Sequence, residues 1–223
     1  MNYEHATHIV SSETGALAVL DRGGARLFFG DRAHELAAPA RGLAFFGEQL
    51  GLLVGDEVQR PGEERAIPLE PGARAIAFAF SGSLLVGYPQ RIVRLGDRPL
   101  ALDLPGAFDL QTIVADPGGF WVGGAKGMIG FRPTPEGAAI RAEWRTGAPV
   151  ESMTPGPDGS LYALSDGALW RGGERVADVA CRGLARQGRA LVGLTENSVV
   201  DLTRYVPDAP EDLPDIQLPA CES

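Results

Sequence analysis

Apolar residues fall in short unbroken runs along this chain rather than in long periodic stretches. Six such runs, each preceded by a turn that usually carries glycine, are Ala16–Leu20, Leu50–Gly55, Ser83–Gly87, Gly119–Gly123, Ser160–Leu164 and Arg189–Gly193. Their last residues recur at a spacing of roughly 35, inside the range of repeat architectures. Within each run the apolar residues are consecutive, which predicts strands buried on both faces; five or so residues bounded by Gly, Asp and Pro are too short for helices.

Around each run the same order of segments can be drawn. One strand precedes it, and a third and a fourth follow. In the third repeat, Ala75–Phe78 turns at Ser81-Gly82 into the central run, followed by Arg91–Leu95, a Gly96-Asp97 turn and Pro99–Leu102. The fifth turns at Pro157-Asp158-Gly159, with Ala168–Trp170 and Arg175–Val179 as its outer strands. Asp-Gly is a strong hairpin signal because glycine tolerates positive φ. Four-stranded sheets repeated radially are the plan of a β-propeller. The expectation is therefore an all-β chain of six short four-stranded blades, with five or seven blades or a β-sandwich as alternatives. One domain spans residues 1–206, and the acidic, Pro-rich segment 207–223 could close the ring through Ile216-Gln217-Leu218.

Two of the repeats carry a recognisable motif. The stretch from Val114 to Gly123, with Asp116, Gly119 and Trp121, followed by Gly127-Met128-Ile129-Gly130-Phe131, resembles the bacterial two-component-regulator type propeller repeat. Thr154–Ala163 resembles the same repeat with Tyr162 in place of the tryptophan. This resemblance implies the propeller fold and says little about activity.

Composition narrows the function classes. Apolar residues at 44% and charged residues at 22% are ordinary for a globular chain, and 30 glycines with 17 prolines fit frequent turns. A net charge of −9 disfavours nonspecific contact with nucleic acid or anionic membrane. There is no long apolar run and no leader-like start, so a cytoplasmic location is expected. Cys181 and Cys221 lack Cys-x-x-Cys spacing and read as packed thiols, or as a disulfide in an extracellular setting.

Candidate chemistry concentrates where the inner strands begin. Aligned on the central runs, those positions are Thr7, Arg41, Arg74, Gln111, Glu151 and Arg182, each two residues before an apolar position: Ile9, Leu43, Ile76, Ile113, Met153 and Leu184. Polar and apolar members would share a strand face, the polar one nearer the channel mouth. Three arginines there could make the entrance locally positive and hold a carboxylate, a phosphate or an acidic peptide; alternatively the arginines and Glu151 simply pair across solvent.

Other chemistries find little support. His5 and His8 would point to opposite faces of a strand, His34 stands apart, and there is no G-x-S-x-G elbow. Gly123-Gly124-Ala125-Lys126-Gly127 lacks the order of a phosphate loop and reads as a hairpin turn around the only lysine. Calcium-dependent lactonase-type propellers hold their metal on acidic and amide side chains at inner-strand mouths, for which Gln111, Glu151 and Asn197 are weak analogues beside arginines that repel a cation. Trp121, Trp144, Trp170 and Tyr162 read as core or as a partner-binding patch.

The resulting expectation is a non-catalytic scaffold for protein–protein or peptide interaction, a subunit or adaptor of a larger assembly. It would need no cofactor, metal or catalytic residue, and its partner would be a protein or an acidic peptide bound at Arg41, Arg74, Gln111, Glu151 and Arg182. The alternatives are a small-molecule or glycan-sensing propeller and a metal-dependent lactonase-like hydrolase.

Overall fold

A computed structural model describes residues 3–30, 32–63, 65–96, 99–135 and 137–207. Blade one contains β1 (His8–Ser11), β2 (Leu17–Asp21), β3 (Arg26–Phe29) and β4 (Arg32–Glu35), and blade two β5 (Ala40–Phe46), β6 (Gln49–Val54), β7 (Glu57–Gln59) and β8 (Ile67–Pro68). Blade three is β9 (Ala75–Phe78), β10 (Leu84–Tyr88), β11 (Arg91–Leu95) and β12 (Leu100–Asp103); blade four is β13 (Thr112–Asp116), β14 (Gly119–Gly124), β15 (Gly127–Thr134) and β16 (Gly137–Arg145). Blade five is β17 (Val150–Pro155), β18 (Leu161–Ser165), β19 (Ala168–Arg171) and β20 (Glu174–Asp178). Blade six has β21 (Gly183–Gln187), β22 (Ala190–Leu194) and β23 (Val199–Asp201), with no fourth strand among the described residues. All pairing is antiparallel between chain neighbours, so the chain is a six-bladed β-propeller.

The runs that set the period are the second strands. β2, β10, β18 and β22 are buried at every residue, and β6 and β14 at all but the first. Neighbouring blades cover both faces of each second strand, so alternation disappears there. Exposure rises outward, to β4 and most of β20. Close blade contact is permitted at two glycines in these strands. A Cβ on Gly87 would lie 2.5 Å from Leu110, and one on Gly123 would lie 2.7 Å from Val150 at the start of the next blade.

The motif-bearing blades share an aspartate clamp. Asp116, in the β13–β14 turn, accepts hydrogen bonds from the Gly118 amide and Trp121 Nε1, each at 2.8 Å, and pairs with Arg141. Arg141 also lies over the Trp121 ring at 4.7 Å, and Trp144 stacks on the same ring at 4.4 Å between centroids. Asp158 repeats the arrangement with the Ser160 amide (3.2 Å), Tyr162 Oη (3.3 Å) and Arg171 Nε (3.0 Å). Burial alone would raise the Asp158 pKa, but the hydrogen bonds from Ser160 and the Arg171 guanidinium outweigh it and hold the carboxyl below its usual range. Burial and the adjacent Asp158 charge push the Tyr162 phenol up to about 12.

Inner strands pack in sequence around the ring, and β21 meets β1. There Ile9, Leu17, Val19 and Phe28 bury against Ala185, Val192, Leu194 and Val199. The N-terminal segment reinforces this seam: the Tyr3 amide donates to Asn197 O at 3.0 Å, the Ala6 amide to Glu196 O at 3.2 Å, and the Tyr3 ring meets Phe28 edge-on at 5.1 Å. Among the described residues, closure is thus made by blade one and the residues before it. The closing role read for segment 207–223 falls on residues 208–223, which lie outside those described, as does Cys221.

Truncating the seam tyrosine tests this view. Tyr3→Ala should cost about 3 kcal/mol in urea unfolding, the scale of losing a buried aromatic. Ile140→Ala, at a side chain 55% exposed on an outer strand, should stay within about 0.5 kcal/mol. Equal effects would show that closure does not depend on this contact.

Candidate functional site: the channel mouth

Each inner strand is the end strand of its sheet, so one edge is unpaired. Residues 7–13, 41–47, 74–80, 111–115, 151–155 and 182–186 line a central cavity of about 640 Å³. Consecutive rather than alternate residues line it because these free edges face inward, presenting backbone N–H and C=O groups to the channel.

All six aligned positions lie at one mouth of this channel. Four are equivalent in backbone detail: the amides of Thr7, Arg74, Gln111 and Arg182 donate to Leu20 O, Gly87 O, Gly123 O and Leu194 O at 2.9, 2.8, 2.8 and 2.7 Å. The position opposite the end of a second strand is therefore the place where each inner strand starts. Arg41 and Glu151 reach the mouth differently. Each is the extra residue of a β-bulge, between Ala40 and Gly42 and between Val150 and Ser152, a device that re-aims a side chain. Deeper in, Ile9, Leu43, Ile76, Ile113, Met153 and Leu184 are all buried and give the channel an apolar waist.

The arginines have partners that sequence reasoning did not single out. Arg41 donates to Gly55 O at 2.5 Å and lies 3.7 Å from Asp56; Arg74 donates to Asp109 at 2.6 Å; Arg182 lies 3.6 Å from Glu196. Gln111 Nε2 donates to Asp109 Oδ2 at 3.0 Å and to Asp109 O at 3.1 Å, and Glu196 meets His5 Nδ1 at 3.0 Å. Glu151 is exposed and has no ion pair among the described residues. The mouth is thus a ring of mixed charge. A signal for two of these acids existed: Asp56 and Glu196 follow the ends of second strands, which terminate at this mouth.

The other sequence candidates separate cleanly. Trp121 and Tyr162 are buried, and Trp144 and Trp170 pack half-buried between blades four and five. Gly124 pairs with Gly127, so Ala125-Lys126 forms a two-residue hairpin loop. Cys181 is a buried thiol whose pKa burial raises. His5 is exposed beside Glu196, whereas His8 lines the channel. Among the described residues no group of three or more His, Cys, Asp and Glu side chains is placed to hold a metal ion, and no helix is long and apolar enough to cross a membrane. At the opposite mouth Phe46 and Phe80 are exposed, at 41% and 64%, features the sequence reading passed over.

His8 supplies a pH test of the channel interior. Solvent reaches its ring, but protein surrounds the channel, and desolvation lowers its pKa from the ordinary 6.5. Because the unfolded state then binds the proton more readily, stability should fall as pH drops through about 6.5. Urea midpoints measured from pH 7.5 to 5.2 should decline in the parent and decline less in His8→Gln; identical slopes would contradict desolvation of this ring.

No protein-family model matches the chain, and no curated protein does. Solved structures do. A streptogramin B lyase superposes with a TM-score of 0.66 at 17% identity, covering 90% of this chain and 83% of that one. The β-propeller domain of Cps50 (Swd1) from Myceliophteria thermophila gives 0.63 at 12%, over 89% and 84%. The extracellular domain described as that of a hybrid two-component system from B. thetaiotaomicron gives 0.61 at 14%, covering 87% of this chain; this chain spans only 32% of that domain. Lyase, Swd1 domain and two-component extracellular domain share the ring at identities that speak for the fold alone, and the chain is similar to all three as a β-propeller.

Proposed function

We propose that this propeller is a non-catalytic binding module whose arginine-bearing mouth receives an acidic segment of a protein partner. The observation that carries this reading is the convergence of Arg41, Arg74 and Arg182, from three blades, on the lining of one channel, Arg74 and Arg182 at equivalent backbone positions and Arg41 at a bulge. Their present partners are easily exchanged. Arg41, Arg74 and Arg182 are 49%, 39% and 54% exposed, and Asp56, Asp109 and Glu196 are 49%, 44% and 47% exposed. Exposed pairs of this kind contribute about 0 to 1 kcal/mol each. An incoming carboxylate can therefore replace a loop carboxylate at little cost, and the strand-anchored mouth loses little conformational freedom on binding. Gln111 and the exposed Glu151 add a hydrogen-bond donor and a negative position that would set the register of the bound segment.

The Trp121 repeat and its Tyr162 counterpart support assigning the chain to the two-component-regulator type of repeat, and a cytoplasmic adaptor fits its acidity. The test uses fluorescein-labelled hexaglutamate. Binding should weaken about tenfold or more in an Arg41→Ala/Arg74→Ala/Arg182→Ala variant, and should weaken with added salt, while the thermal midpoint changes by only a few degrees. Unchanged affinity in the triple variant would remove the mouth as the binding site.

A further inference from the structure

Beside the opposite, phenylalanine-bearing mouth, the seam between blades three and four opens into a pocket of about 140 Å³. Strand pairing explains both walls. Leu85 and Leu100 lie opposite Arg94, and Ile92 lies opposite Leu102, so these side chains share one face of blade three. On blade four Phe120 lies opposite Phe131, and Pro133, two residues on, lies opposite Ala138, which puts Phe120, Pro133 and Ala138 on one face. The walls touch at Gly137, where a Cβ would lie 3.0 Å from Leu100 Cδ1, and the small Ala138 beside it leaves the space unfilled. By contrast, Trp144 and Trp170 fill the outer part of the seam between blades four and five. The exposed Phe80 lines both this pocket and the channel, so the pocket opens at the mouth.

Size and charge together select an occupant. An apolar protein cavity of about 150 Å³ lined by Leu, Ile and Phe holds one benzene ring. Two charged side chains line this pocket, Arg94 and Asp116, and both are engaged within the protein. Asp116 is met by Gly118 N, Trp121 Nε1 and the Arg141 guanidinium, and Arg94 has a partner of its own. A charged ligand would therefore leave water for an apolar wall with no free counter-charge, a cost that a neutral ring escapes. We propose that the seam pocket binds an uncharged apolar molecule of a single ring, packed among Leu85, Ile92, Leu100, Leu102 and Phe120. This site is separate from the arginine mouth and does not depend on that reading.

The experiment titrates toluene, benzoate and benzylammonium into the full chain, followed by amide chemical shifts. Toluene should shift amides of β11, β12, β14 and β16 saturably. Benzoate and benzylammonium, of similar size but opposite charge, should each bind there about tenfold or more weakly than toluene. Ala138→Leu should fill the pocket and abolish toluene binding. Phe80→Ala, at an exposed residue whose ring forms part of the wall, should weaken toluene severalfold. The proposal is overturned by toluene shifts absent from this seam, by either charged probe binding there as tightly as toluene, or by a folded Ala138→Leu or Phe80→Ala variant that leaves toluene affinity unchanged. Amide dispersion reports whether Ala138→Leu folds, and Phe80→Ala decides the matter where it does not.

Discussion

The seam between blades six and one is the contact on which the ring depends. A propeller blade is a sheet with two apolar faces, and only its neighbours can cover them. Five of the six seams join consecutive parts of the chain; the sixth must bring Ile9, Val19 and Phe28 against Val192, Leu194 and Val199 from the far end of the fold. Were it open, two sheet faces would meet water at once, at roughly 1.5 to 3 kcal/mol for each large side chain uncovered. Backbone hydrogen bonds from Tyr3 and Ala6 to the β22–β23 turn anchor this seam where hydrophobic packing alone would permit sliding.

Closure also explains what the channel is. Six inner strands brought into a ring turn their unpaired edges inward, where a second sheet cannot reach them, which removes the aggregation hazard of a free edge. The edges then become a lining of fixed donors and acceptors. At one mouth they carry Arg41, Arg74, Gln111, Glu151 and Arg182; at the waist they bury Ile, Leu and Met side chains; at the other mouth Phe46 and Phe80 stand in solvent. One channel thus has two chemically different ends.

The architecture was legible because burial on both faces writes consecutive apolar residues into every second strand, and a recurrence of roughly 35 residues cannot arise from a stack of unrelated strands. The mouth was legible for a related reason. An inner strand starts opposite the end of its second strand, so aligning Leu20, Gly87 and Gly123 also aligned Thr7, Arg74 and Gln111. Partners of the arginines were harder to read. Asp109 stands thirty-five residues from Arg74 in a loop entering the next blade, a separation that the packing of blade four beside blade three brings to 2.6 Å. Phe80 gave no such signal: it continues the period of Ala75–Phe78, yet the strand ends at Phe78 and the ring falls in a turn, outside the blade core.

Two of the mouth side chains stand where the repeat is broken. Arg41 and Glu151 reach the mouth only because β5 and β17 bulge there, and a bulge weakens the ladder it interrupts. Ring closure needs neither bulge, since β1, β9, β13 and β21 reach their neighbours without one at that point. The bulges do have a consequence at the mouth: with them, arginine, glutamine and glutamate side chains from five blades line one channel. On the proposed reading, that arrangement would favour a charge pattern over a single charge, because an acidic partner would have to offer its carboxylates to Arg41, Arg74 and Arg182 while keeping them away from Glu151.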